Sequence, residues 1–254
     1  MKSTERFSNR VDAYDKGRPR YPAALVDALA ADLPAGAVIA DIGSGTGLLS
    51  QPFVERGLQV RAVEPNEPMR RAAEASLGRH PGFVSLGGTA EASGLESASV
   101  DLIIVGQAFH WFNRAAARRE FARILKPSAP VALVWNDRLS ESSPFMVDYE
   151  ALLRRFGTDY AQVEHRNLRP AQLSRFFGEQ GCRLRVFDNA QWLDWDALQA
   201  RLDSSSYVPE ASHPDHAPML AHLRQLFDRH QQEGRVRFDY DTLLYLAPLS
   251  RETP

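Results

Sequence analysis

The sequence predicts an α/β domain with a parallel sheet, helices on both faces, and a helical cap added late in the chain. Three observations predict it. Between residues 35 and 137, short runs rich in Val and Ile alternate with longer stretches of helical periodicity, the pattern of strands joined by crossover helices. One run, "SVDLIIVGQ", is apolar almost throughout, as a strand buried on both faces must be. The first run passes directly into "GSGTG" and then into a helical stretch, the strand, turn and helix order that places a ligand at the carboxyl edge of such a sheet.

Phe7, Val11 and Tyr14 recur at helical spacing until Gly17, Pro19 and Pro22 break the run. "PAALVDALAADLP" reads as a second helix with Pro22 in its first turn. "AVIADIG" is the first strand. "LLSQPFVERG" follows as a helix ended by Gly57, "LQVRAVEP" is strand two, and "NEPMRRAAEASLG" is a helix capped by Asn66. "FVSLG" is strand three and "SVDLIIVGQ" strand four. After "NRAAARREFARILKP", a helix closed by Pro127, "PVALVWN" is strand five. Strands and helices in this order give right-handed crossovers. Beyond Asn136 the helical segments "SPFMVDYEALLRRFG", "RPAQLSRFFGEQG", "DWDALQARL" and "APMLAHLRQLFDRHQQEG" surround two further strands, "CRLRVFDNAQWL" and "VRFDYDTLLYLAP". These strands are read as the far edge of the same sheet, and the helices as a cap. "SSSYVPEASHPDHAP" is a loop.

Composition narrows the function. With 254 residues and 44% hydrophobic content the chain can bury one sizeable core. Thirty basic and 32 acidic residues give a formal net charge of -2; being mixed along the chain, they leave no basic footprint for nucleic acid or an anionic membrane surface. Cys182 is the single cysteine, which excludes a disulfide framework and fits a reducing compartment. The N-terminus lacks an apolar leader and no run approaches bilayer length. A soluble, cytoplasmic protein acting on a small molecule is expected. Its oligomeric state is not legible.

Gly43, Gly45 and Gly47 fall at the first strand-to-helix turn, where missing side chains let a ligand approach the backbone N–H groups. Glu64 ends strand two, 19 residues after Gly45, where a carboxylate accepts from ribose hydroxyls. Nicotinamide and flavin enzymes share both features, but their fingerprint is G-x-G-x-x-G. Here Leu48 holds the sixth position and the third glycine comes one residue early. Asp41, two residues before the first glycine, is badly suited to a pyrophosphate and well suited to a cation such as a sulfonium or an ammonium.

At this point "VIADIGSGTG", "AVEP", "GTAEASGLESASVDLIIVGQAFHWF" and "ARILKPSAPVALVWN" together resemble a class I S-adenosylmethionine-dependent methyltransferase. The prefix "FSNRVDAYDKGRPRYP" and the run "QAFHWF" resemble more narrowly the type 11 branch that includes trans-aconitate methyltransferase-like enzymes. The resemblance implies a Rossmann-like, doubly wound sheet of seven strands, mostly parallel with an antiparallel edge strand. It implies one domain over 1–254, with N-terminal lid helices over 1–34, a cofactor-binding core over 35–137, and substrate-cap helices with the last two strands over 138–254. S-adenosyl-L-methionine would be held by Asp41, Gly43, Gly45 and Gly47 at its methionine end and by Glu64 at its ribose. Thr89, Ala90 and Glu91 fall where the family binds adenine. Thr89 replaces the usual acidic residue, which leaves the N6 contact to Glu91 or to the backbone. Gln107 lies beside the departing methyl group, and Tyr14 and Arg18 fold over the cofactor. An alternative makes Tyr14 part of an ordinary buried helix face and Arg18 a surface residue.

His110, at the carboxyl end of strand four, is the candidate catalytic group: a base for a hydroxyl, phenol or carbon acid, or an orienter for a carboxylate, which needs no base. Packing of "HWF" into a pocket wall is the competing reading. No metal is expected. His213 and His216 flank "PD" in a loop without cysteines nearby, and Asp194 and Asp196 read as helix-start residues. Specificity is expected from the cap, where Phe145, Tyr149, Phe156, Tyr160, Trp192, Trp195 and Tyr207 are interspersed with Arg138, Arg154, Arg155 and Arg166; such a lining suits a partly apolar, anionic molecule. A noncatalytic S-adenosylmethionine-binding module and an NAD(P)-dependent oxidoreductase are the other functions left open.

Overall fold

The computed structural model describes residues 17–158, 160, 170–178, 180–205 and 207–249. Tyr14 and Arg166 lie outside them. Seven strands form one sheet in the order β3-β2-β1-β4-β5-β7-β6, with β1 Val38–Ile42, β2 Gln59–Val63, β3 Phe83–Leu86, β4 Leu102–Gly106, β5 Pro130–Arg138, β6 Arg183–Leu193 and β7 Val236–Pro248. β1 to β5 pair in parallel. The reversed strand is β7, which stands between β5 and the edge strand β6 and pairs antiparallel with both.

The apolar run of β4 explains its central place. Leu102 and Ile104 face one core, while Ile103 and Val105 face the other, so neither face is free for polar residues. Helices α1 Ala23–Ala30, α2 Gln51–Val54 and α3 Glu67–Leu77 cover the first face through Leu25, Phe53, Ala73 and Leu77. The second face is covered by α4 Arg114–Ile124, whose Ala117, Phe121 and Ile124 recur at i, i+4 and i+7. Burying such a Phe or Ile contributes about 1.5–3 kcal/mol relative to leaving it exposed. Local chemistry starts these helices: the Asn66 side chain accepts from Met69 N, and Asn113 from Ala116 N.

A third core is formed by α5 Pro144–Phe156, α7 Trp195–Asp203 and α8 His216–His230. Between α5 and α7 in the chain comes α6 Pro170–Phe177, which the sequence places in the cap and which does not pack there. Its Leu173, Phe176 and Phe177 lie in the core beneath α4, and Phe176 meets Phe109 edge-on at 4.7 Å. The pairing of β5 with β7 ends at Arg138 and Tyr240, whereas β6 and β7 stay paired to Leu193 and Val236. The β6–β7 ribbon therefore outruns the parallel sheet, and its overhanging Leu193, Val236 and Phe238 seat the third core.

Candidate functional site

The carboxyl ends of β1, β2 and β4 meet at the glycine turn. Gly43 N and Ser44 N donate to Val63 O at 2.8 and 3.2 Å, which clamps the turn onto β2. Gly43, Gly45 and Gly47 all take positive φ, at 73°, 56° and 84°, a conformation costing other residues roughly 1–2 kcal/mol. Two of the glycines also answer to packing. A Cβ on Gly43 would stand 2.7 Å from Ala108 Cβ, and one on Gly47 2.7 Å from Leu77 Cδ1. At Gly45 a Cβ would meet no atom of the described residues within 4 Å. Among them that middle glycine faces open space, where a ligand can approach the backbone.

Asp41 lies just before this turn and is 1% exposed. Its Oδ2 accepts from Ser50 Oγ at 2.7 Å, and its Oδ1 is buried without a partner among the described residues. Burial pushes its pKa up to about 7, the Ser50 hydrogen bond pulls against that, and the charge of Glu64 adds to the rise. A buried acceptor left unmet costs about 1–3 kcal/mol. The orphaned oxygen therefore fits a cationic donor such as an ammonium group.

Glu64, 8% exposed, accepts from Gly45 N at 2.9 Å and from Asn66 N at 2.8 Å. Its pKa is raised by burial, against the pull of these two bonds and of Arg70. Glu64 thus ties the loop of the first strand to that of the second. The loop after β3 folds on itself: Thr89 Oγ1 accepts from Glu91 N and Ala92 N at 3.3 and 3.2 Å, and Ala90 is buried in the core. Glu91 Oε1 accepts from Asn113 N at 2.8 Å. Glu120 anchors this loop from α4, accepting from Ser93 N and Ser93 Oγ on Oε1 and from Arg123 on both oxygens. The Arg123 hydrogen bond is the largest of the influences that pull the Glu120 carboxyl down to about 2.

Gln107 follows β4 with φ 57°, a left-handed conformation unusual for a residue with a side chain. Its N donates to Val134 O, and its Nε2 to Asn136 O, both at 3.0 Å. His110 stands in a short 3-10 turn, Phe109–Trp111, with its ring 4.4 Å from that of Trp111 and 5.6 Å from that of Trp135. Tyr21 comes from the N-terminal side: a Cβ on Gly106 would stand 2.5 Å from its hydroxyl.

Residues 17–21 form a strap over this end of the sheet. Gln191 Nε2 donates to Arg18 O and Asn189 Nδ2 to Arg20 O, at 3.2 and 2.8 Å. Arg18 Nη2 donates to Ser204 O at 2.8 Å. A Cβ on Gly17 would come 2.5 Å from Arg201 N, so only glycine lets the strap lie on α7.

Of the aromatic residues expected to line the cap, Phe145, Tyr149 and Tyr160 belong to its core, and Phe156 and Tyr207 pack against it from half-buried positions. Trp192 is instead 52% exposed on the edge strand, and Trp195 packs on Phe227 at 5.7 Å. Asp194 caps α7 by accepting from Ala197 N. His216 contacts Asp203 at 3.3 Å. Residue-by-residue reading did not single out Ser50, the Ser93–Glu120 anchor or Arg201. Only Ser50, next to the first helix after the glycine turn, stood where a signal could have been sought.

Residues 40–133 match a family model described as a methyltransferase domain. An uncharacterized methyltransferase of Mycobacterium tuberculosis is 46% identical over 133 residues, 52% of each chain; the match thus spans about half the length of that relative. A methyltransferase-like protein of Schizosaccharomyces pombe, also uncharacterized, is 25% identical over 245 residues, covering 94% of this chain and 93% of its own. Among solved structures, one described as a type II methyltransferase from Anaeromyxobacter dehalogenans superposes with a TM-score of 0.65 at 26% identity, over 91% of this chain and 98% of that one. No helix among the described residues is long and apolar enough to cross a membrane.

Proposed function

We propose, from the match of residues 40–133 to a methyltransferase-domain family model, that the protein is a class I, S-adenosylmethionine-dependent methyltransferase that transfers a methyl group to a small anionic acceptor, on a carboxylate oxygen. One observation carries the cofactor reading. Asp41 presents a buried, unpaired carboxylate oxygen just before an open glycine turn, which suits an ammonium-bearing ligand and not a pyrophosphate. The carboxylate acceptor is supported by the arginines of the cap and by the likeness of "QAFHWF" and the N-terminal segment to the trans-aconitate methyltransferase-like branch.

When bound, S-adenosylmethionine supplies a methyl group on a positively charged sulfur. Asp41 takes its ammonium and Glu64 its ribose hydroxyls, with Gly43, Gly45 and Gly47 giving the close approach. The loop of Thr89, Ala90 and Glu91 borders its adenine. Gln107 and His110 stand on the acceptor side, and the strap with Arg18 closes over the site. Tyr14, outside the described residues, is proposed to join Arg18 there. A carboxylate arrives ionised at neutral pH, so His110 orients it and removes no proton. Alignment alone can supply about 7–11 kcal/mol in favourable intramolecular models.

Titration calorimetry with S-adenosylmethionine and its demethylated product tests the cofactor assignment. Asp41→Ala and Glu64→Ala should each weaken both ligands by about tenfold or more, the loss of one charge-assisted hydrogen bond, and NADH should leave the melting temperature unchanged. Unchanged affinity in both variants rejects the site. Labelled methyl donor offered with carboxylates, phenols and amines then separates acceptor classes. Binding without transfer to any of them would mean a noncatalytic module.

A further inference from the structure

We infer that the cap holds an anionic anchor of the acceptor on Arg201, Arg138, Tyr149 and Tyr207, a carboxylate site separate from the glycine turn. The inference rests on the proposed function only in taking the bound anion to be the methyl acceptor.

Arg201 on α7 is 5% exposed. Its Nε donates to Tyr240 Oη at 2.9 Å and its Nη1 to Ser205 Oγ at 3.1 Å, and both partners are neutral. A buried cation without an anion is costly, and proteins normally pair it or use it. Burial weakens its charged form, but the tyrosines around it, Tyr240 foremost and through a hydrogen bond as well, set its pKa above the ordinary arginine value, and a guanidinium keeps its proton at neutral pH without any anion beside it. It stays charged.

Arg138 at the end of β5 brings a second guanidinium. Its Nη2 donates to Glu150 Oε2 and Tyr160 Oη, while its Nη1 is buried with no partner among the described residues. The guanidinium lies 5.5 Å from the ring centre of Tyr149, whose hydroxyl is also buried without a partner among the described residues; the residue is 0% exposed. Glu150 supplies the counter-charge but also accepts from Arg154 Nε at 3.0 Å, so it does not balance Arg201. Arg18 reaches Ser204 O at the end of the same helix. The field registers on Tyr207: burial raises its phenol, and Arg201, Arg138, the Ser205 hydrogen bond and Arg18 outweigh that and bring it below the usual value. Phe238 joins the two, its ring 4.9 Å from that of Tyr149 and 5.3 Å from the Arg201 guanidinium, so two donors and a cation with no anionic partner among the described residues share one buried place and form a receptor for a small anion. Planar guanidinium groups favour a carboxylate.

Arg138 is four residues beyond Val134, the partner of Gly106 on β4, or about 13 Å along the strand. The anchor therefore lies farther out than the end of β4, and the acceptor extends from the cap toward Gln107 and His110.

The test is calorimetry on the full chain without cofactor, using succinate, its uncharged diamide and inorganic phosphate as probes. Succinate should bind wild type, while the diamide should not and phosphate should bind more weakly. Arg201→Met should weaken succinate by about tenfold to a hundredfold, and Tyr149→Phe by several-fold, each with S-adenosylmethionine affinity unchanged. Should Arg201→Met fail to fold, Tyr149→Phe decides, because it removes only an unbonded hydroxyl from a packed ring. Equal binding of the diamide, preference for phosphate, or unaltered succinate affinity in the variants overturns the inference. Wild type that binds succinate but not S-adenosylmethionine overturns the proposed function and leaves the anion site standing.

Discussion

Asp41 couples the pH of the solution to cofactor binding. Its folded pKa, about 7, lies above the ordinary 3.8, so the ligand-free protein has the full benefit of a protonated Asp41 below pH 4. It loses that benefit as pH rises through 7. A cationic ligand reverses the preference, since it favours the ionised carboxylate. Affinity for S-adenosylmethionine should therefore climb with pH up to about 7 and then level. Near pH 6, calorimetry in buffers of different ionisation heat should show proton release, absent in Asp41→Asn. His110→Ala should reduce turnover more than cofactor affinity; with a carboxylate acceptor it should keep the wild-type pH profile, whereas loss of an acidic limb from that profile would assign it as a base. Asp41, the three glycines and Glu64 were legible because their order along the chain is itself the site. Arg201 was not: on the sequence it is one more charge on an amphipathic helix, and only the docking of α7 against Tyr240 and the strap buries it.

At the scale of elements, the glycine turn separates two kinds of cost. Gly47→Ala adds a contact at 2.7 Å to the left-handed penalty, so it should lower the melting temperature clearly. Gly45→Ala pays the penalty without the clash, and its Cβ enters the space left for ligand. It should lose cofactor affinity by more than its stability falls, and comparable losses at both positions would remove the distinction. The Glu120 anchor makes a second case. With its carboxyl held near 2, against an ordinary 4.5, its contribution is full above pH 4.5 and is lost as pH falls toward 2. Glu120→Gln should cost about 1–3 kcal/mol at pH 7, read by thermal unfolding, and flatten that acid limb. The strap should exchange amide hydrogens more slowly with cofactor bound and faster in Asn189→Ala, which removes the hydrogen bond from Asn189 to Arg20 O; equal exchange would mean that the strap is only packing. Helix starts at Asn66 and Asp194 were legible from cap chemistry. The placement of α6 was not, because periodicity reveals an apolar face without naming the surface it meets. Nor was the left-handed Gln107, whose conformation answers to carbonyl groups on β5.

For the whole molecule, the five parallel strands could be read in order because each is a short apolar run set off by a helix or a loop from the next. Their sideways arrangement could not. The position of β7 between β5 and β6 depends on pairing Pro130 with Pro248, and such distant contacts leave no local trace. The same pairing has a consequence during synthesis. β5 leaves the ribosome about 100 residues ahead of the strand that covers it, and at about 5–20 residues per second its outer edge stays open for roughly 5–20 s. That edge carries Val131, Leu133 and Trp135 among its buried side chains, a short stretch able to recruit strands from neighbouring chains. A chain terminated after Glu233 should thus sediment as aggregate whether or not S-adenosylmethionine is supplied, although every residue proposed to hold the cofactor is present in it. A soluble, monomeric truncated chain would show that the open edge is protected by some other means. β7, made after the six other strands of the sheet, acts as the seal on the edge of β5, and the nascent protein depends on reaching it before another molecule does.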